Sequence, residues 1–244
     1  MPAPHSHEGP ARNRPAHRAG GVRLGRRGHG LARLSAVLGA ALAVLATHAS
    51  IALAGQGPGI SLFGTQEVRT ADLAPFPKWT GVLVRYQSEI DNGEACGKGA
   101  ASRCDHKRWR RFLAGIEGKA ALEQIRAVNK EFNRHRYVLD PVNYGVPDYW
   151  ATPFQFLKLD GDCEDYAIAK FMALRALGFD NESLRVVVLR DLNLKLAHAI
   201  LVVYHEGRVL VLDNQISDIV EATAIRHYRP IYSVNESAWW LHRP

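Results

Sequence analysis

Net charge is nearly absent from most of this chain. Residues 55–244 hold 24 basic and 23 acidic side chains, so the formal +7 of the whole sequence resides almost entirely in residues 1–54. There, seven arginines stand against Glu8 alone. A body this close to neutral has no electrostatic footprint for nucleic acid, which excludes polyanions as its partners. Internal repeats and low-complexity tracts are also missing beyond the first 54 residues, and 244 residues suit one domain with appendages. Cysteine is scarce, with only Cys96, Cys104 and Cys163.

The basic N-terminal stretch leads into an apolar run, "LSAVLGAALAVLATHASIALA", from Leu34 to Ala54. It closes on small residues of the kind a signal peptidase reads, so residues 1–54 are expected to be a signal peptide or targeting segment. An uncleaved membrane anchor is the second reading, because the run approaches spanning length. Either way, the body is exported. In an oxidising compartment exposed cysteines tend to pair. Cys96 and Cys104 bracket the small polar loop "GKGAASR" and are expected to bond, which leaves Cys163 as the unpaired thiol to suspect of chemistry.

Residues 55–75 read as an extended N-terminal arm and 76–244 as the domain proper. "WTGVLVRYQSEI" has helical spacing. So does the stretch from His106 to His135, in which Trp109, Phe112, Leu113, Ile116, Leu122, Ile125, Val128 and Phe132 recur at three and four. Gly115 and Gly118 divide it into two helices. Tyr137 to Asp162, punctuated by three prolines, reads as loop. A central helix follows from Cys163, with apolar residues on one side and Gly178 at its end. The period then changes to that of strands, and Glu206-Gly207 marks a hairpin. Helices followed by an antiparallel sheet make an α+β fold.

"GDCEDYAIAK" places Cys163 at a helix start among carboxylates. A thiol nucleophile needs a base and a third group to orient that base. His198 lies 35 residues on, and Asp213 15 further. The hairpin sets His198 eight residues before Glu206 and Asp213 six after Gly207, so a bulge or a slip of a residue or two brings them level. The helix dipole and the imidazole then lower the thiol pKa. The backbone N–H of Cys163 is an oxyanion donor, and Trp150 is either a second donor or a core aromatic. His106, His135, His205, His227 and His242 have no comparable setting and read as surface groups.

Asp160, Asp162, Glu164 and Asp165 gather four carboxylates in six residues. Such a cluster suits a hard cation, or else its first-turn acids only complement the helix dipole. It is not an EF-hand, since the glycine at the sixth loop position is missing.

"GDCEDYAIAKFMALRALGF", "AHAILVV" and "LVLDNQ", with "DYWATPFQFL" and "RPIYSVNE", resemble the bacterial transglutaminase-like cysteine proteinases, and within them the LapG-type periplasmic proteases that release biofilm adhesins. The resemblance covers roughly residues 75–236. It implies a papain-like core with Cys163 as nucleophile, His198 as general base and Asp213 as orienter. It also implies calcium dependence through Asp162, Glu164 and Asp165, and a periplasmic location. The implied substrate is a large surface adhesin, cut near its N-terminus at a small-residue site. The implied regulator is an inner-membrane receptor whose periplasmic domain sequesters the enzyme, with Tyr149, Trp150 and Phe154 as part of the docking surface or else core. The other function classes are a transglutaminase-type acyl transferase and a catalytically inactive binding module.

Overall fold

A computed structural model of the chain describes residues 61–92 and 101–244, the side chains of 101–105 excepted. The leader over 1–54 and the expected Cys96–Cys104 bridge lie outside those residues. After a single 3-10 turn at Leu62–Gly64, the chain forms β1 (Gln66–Thr70), α1 (Pro77–Asp91), α2 (Ala101–Ile116) and α3 (Ala121–Phe132). Next come α4 (Asp140–Asn143), α5 (Pro153–Leu159) and α6 (Cys163–Ala176). The strands follow: β2 (Leu184–Asp191), β3 (Leu196–His205), β4 (Arg208–Leu212), β5 (Val220–Glu221), β6 (Tyr228–Val234) and β7 (Trp239–Arg243). They build one antiparallel sheet in the order β1-β7-β6-β2-β3-β4-β5. The α+β class expected from the sequence is the class found.

Local signals set the boundaries. Gly118, at φ +73, ends the turn between α2 and α3, a conformation that costs a side chain dearly. Glu206 and Gly207 both take positive φ, which gives the tight β3–β4 hairpin its twist. The segment read as loop carries two short helices instead. Thr152 and Gln155 form a capping box around α5, and Pro153 occupies its first turn, where a missing N–H costs nothing. The prolines start these helices rather than prevent them.

The strands carry apolar side chains on both faces. Val186, Leu201, Val203, Leu210 and Leu212 pack with the helices. Their alternate neighbours Val187, Ile200, Val202, Val209 and Val211 form a second cluster with Leu62, Ile225 and Tyr228. The central helix α6 rests on β2 and β3 and is flanked by α3 and α5. Every residue from Asp165 to Leu174 is buried, so α6 is enclosed all round and not on one side only. Each large side chain so enclosed contributes about 1.5–3 kcal/mol.

Part of the N-terminal arm belongs to the sheet. Residues 66–70 pair with β7 from Gln66↔Arg243 to Thr70↔Trp239. Arg185 meets Glu67 at 2.6 Å and lies 3.8 Å over Trp240. His242 is buried between Thr65 and Ser233. His106 is buried too, stacked on Phe154 at 3.7 Å, so neither is the surface group its sequence setting suggests.

Candidate active site

His198 sits near the start of β3, opposite Leu189 of β2. The β3–β4 register is regular from His205↔Arg208 to Leu201↔Leu212, and extended it would set His198 against Gln215. No bulge intervenes. Asp213 instead leaves the ladder, because its Oδ1 accepts from Gln215 N at 2.9 Å and turns the chain. The same oxygen lies 2.9 Å from His198 Nε2. Tyr228 donates to Oδ2 at 2.6 Å, and Asn133 Nδ2 donates to the Asp213 carbonyl at 2.7 Å. Burial pushes the Asp213 carboxyl upward, but the hydrogen bonds and charge of His198 with the other donors hold it below its ordinary value. An ionised Asp213 can only accept, so Nε2 carries the imidazole proton and Nδ1 is left as the acceptor, with Gln215 Nε2 at 3.4 Å.

Cys163 opens α6, which packs on β3 and brings the half-buried thiol to the backbone N–H of Ala199, next to His198. Its sulfur donates to Glu164 Oε2 at 3.2 Å. Burial pushes the thiol well up, and the carboxylates of Glu164 and Asp162 push it further. The acids around Cys163 therefore oppose thiolate formation. Left to themselves, they work against a nucleophile.

Two carboxylates from the preceding segment join them. Asp140, at the start of α4, is fully buried; its Oδ2 accepts from Tyr149 N at 2.6 Å, while Oδ1 has no partner. Ligand atoms of Asp140, Asp162 and Asp165 fall within 4.8 Å of one another, as do those of Asp140, Asp148 and Glu164, and of Asp162, Cys163 and Glu164. Asp162 Oδ1 is also buried without a partner. Burial, then the charge of Glu164, raises the Asp162 carboxyl to about 8, and burial likewise raises Asp140, Glu164 and Asp165. Crowded oxygen donors with orphaned atoms fit a hard divalent cation. Asp165 also has a structural duty, accepting from Ala151 N at 2.7 Å and Asp162 N at 3.4 Å. Asp160 stands apart. His135 and Arg136 bind it at 2.8 and 3.0 Å and, against its partial burial, lower its pKa.

The site thus gathers Cys163, His198, Asp213, Asp162, Glu164 and Asp165, leaves Asp160 aside, and adds Asp140 and Asp148, which lie 15 or more residues before Cys163. Nothing in their spacing marks them; only the 137–161 segment, folding back so that Tyr137 bridges Gly161, carries them in. Trp150 and Phe154 are buried core side chains, as the second reading of them had it.

The model of a family described as bacterial transglutaminase-like cysteine proteinase matches residues 93–242. Among solved structures, the chain is similar to LapG of Legionella pneumophila at 31% identity, over 66% of this chain and 86% of that one, with a TM-score of 0.53. The calcium-bound form of LapG gives the same values. The EGTA-treated form gives 30% identity, 68% and 86% coverage and a TM-score of 0.54. No curated protein matches. With a family model spanning more than half of its length and LapG sharing its fold, this chain belongs to the bacterial transglutaminase-like cysteine proteinases and is a cysteine protease.

Proposed function

We propose that this protein is an exported, calcium-dependent endopeptidase that cuts a large surface adhesin near its N-terminus and so controls attachment in biofilms. The observation that carries the reading is the His198–Asp213 contact, set beside the Cys163 thiol at the head of α6. His198 Nδ1 takes the thiol proton, and the thiolate adds to the scissile carbonyl carbon. The resulting oxyanion accepts from the Cys163 backbone N–H at the helix N-terminus. Collapse of the adduct expels the amine, which leaves with the proton from His198, and a water deprotonated by His198 hydrolyses the thioester.

Calcium would be held by Asp140, Asp162, Glu164 and Asp165, with Asp148 at the rim; its positive charge would offset the carboxylates that burden the thiol. The orphaned oxygens of Asp140 and Asp162 support this, as does the similarity to a LapG solved in calcium-bound and EGTA-treated forms. A periplasmic location and an adhesin substrate rest on the resemblance to the LapG-type proteases. No helix among the described residues is long and apolar enough to cross a membrane.

Control belongs to a separate receptor of the inner membrane. Residues 66–70 are committed to β1, so that stretch cannot serve as an inhibitory cover. Exposed Tyr137, Leu139 and Val142, together with Leu194 and Leu196, present apolar surface in segments that lead into the site. Leu196 lies two residues before His198, and Tyr137 bridges Gly161, two residues before Cys163. The test is to incubate the purified protein with cell-surface fractions and look for a released large fragment. Release that calcium supports and Cys163→Ala abolishes is expected. Persistent absence of any fragment in calcium would refute the adhesin reading.

A further inference from the structure

Asp213 and Gln215, two residues apart, bracket the His198 ring. The Asp213 carboxylate lies 2.9 Å from Nε2, and the Gln215 side-chain nitrogen lies 3.4 Å from Nδ1. With the ring proton on Nε2, Nδ1 offers only a lone pair, so the amide presents an N–H to it. The Gln215 backbone is fixed as well, since its N–H donates to Asp213 Oδ1 at 2.9 Å. Unlike Asp213, Gln215 is exposed, and its side chain makes no other hydrogen bond among the described residues.

Nδ1 is also the atom that moves the proton. It takes the proton of the thiol and returns it to the leaving amine. A nitrogen that hands its proton to the leaving amine must stand beside it. An exposed amide 3.4 Å from Nδ1 therefore borders the leaving-group side of the scissile bond. One lone pair cannot serve both the thiol proton and the Gln215 N–H. Once Nδ1 is protonated it no longer accepts, and the amide is released with an N–H in need of an acceptor. In a peptide substrate, an acceptor on that side is the backbone carbonyl of the residue that carries the leaving amine.

We propose that Gln215 binds the leaving-group side of the substrate, donating from Nε2 to the carbonyl of the first residue beyond the scissile bond. The inference rests on the protease reading of the proposed function and deepens it. It gives the site a preference for amines with an α-carbonyl over simple alkyl amines, whether the amine leaves in cleavage or enters in the reverse step.

The reverse step supplies the test, on the full chain in calcium-containing buffer. N-acetylalanine p-nitrophenyl ester acylates the Cys163 thiolate: a carbon–sulfur bond forms and nitrophenolate leaves, with no residue beyond the scissile bond involved. An added amine then attacks the thioester carbon and gives its proton to Nδ1. The carbon–sulfur bond breaks, and the sulfur recovers that proton. Alaninamide and isopropylamine are compared as acceptors by mass spectrometry of the transfer products. Both are branched at the α-carbon, but only alaninamide has the carbonyl. Their different basicities cancel when one ratio is compared between two enzymes.

Gln215→Ala should lower the ratio of alaninamide to isopropylamine transfer by about three- to tenfold, the worth of one neutral hydrogen bond. Gln215→Met, which keeps the length without a donor, should do the same. Both variants retain the backbone N–H on Asp213 Oδ1, and the altered side chain is exposed, so the fold is kept. An unchanged ratio overturns the proposal. So does an equal loss with both amines, which is what a role confined to orienting His198 produces. A preference retained in Gln215→Met overturns it too, because bulk would then be the cause. Failure of wild type to release nitrophenolate faster than Cys163→Ala is a separate result, which overturns the protease reading itself.

Discussion

His198 Nε2 and Asp213 Oδ1 stand 2.9 Å apart although the strand register offsets their positions by two residues. The contact exists because Asp213 turns out of β4 at the strand's end. The carboxylate is then gripped by three partners, His198, Gln215 N and Tyr228, while Asn133 holds the backbone carbonyl of Asp213. The imidazole is thereby held with Nε2 on the carboxylate and Nδ1 as the acceptor, 3.4 Å from Gln215 Nε2.

Loss of the nucleophile should abolish cleavage. Cys163→Ala is expected to reduce fragment release by at least about 10³-fold with an unchanged melting profile, and His198→Ala should be nearly as severe. Asp213→Ala should cost less, because it orients the base without accepting its proton. Full activity in Cys163→Ala would overturn the assignment.

Calcium should act on stability as well as on rate. A chelator is expected to suppress cleavage and lower the melting temperature by several degrees, with calcium restoring both better than magnesium. Asp140→Ala and Asp162→Ala should each reproduce the chelated state, although Asp140 is distant in sequence. A melting temperature indifferent to chelator and calcium would remove the metal from the account.

Gly161 lets α6 begin where it does. A Cβ there would lie 2.3 Å from Asp165 Oδ2 and 2.7 Å from Asp165 Cβ. Gly161→Ala must therefore displace the carboxylate that caps α6 and holds Ala151 N. We expect a loss of about 1–3 kcal/mol in denaturant unfolding, as for other overpacked sites, together with reduced activity. A variant as stable and active as wild type would show that Asp165 can yield freely.

His242 should make the sheet edge acid-sensitive. Burial, which outweighs the charge of Glu67, lowers its pKa to about 4, against an ordinary value near 6.5. Between those values the unfolded chain binds a proton that the folded chain refuses. The stability tied to neutral His242 is thus present above about 6.5 and lost as pH falls toward about 4. The stability difference between wild type and His242→Gln should therefore shrink over that window in urea titrations. A difference constant with pH would contradict the shift.

The long helices, the central helix and the β3–β4 hairpin were legible in the sequence, because apolar period and glycine punctuation are local properties. The triad was legible for a related reason: a tight Glu206-Gly207 hairpin converts sequence distance into proximity, so His198 and Asp213 had to end near one another. The carboxylates beside Cys163 were legible because they are neighbours in the chain. Tertiary structure alone decided three things. Packing enclosed α6 on every side, Lys170 included, where the apolar pattern marked only one face. The fold-back of residues 137–161 brought Asp140 and Asp148 to the acid cluster, through contacts that leave no periodic mark. The pairing of residues 66–70 with β7 drew the arm into the sheet, since an edge strand's partner is set by backbone hydrogen bonds across the whole length of the chain and not by its own side chains.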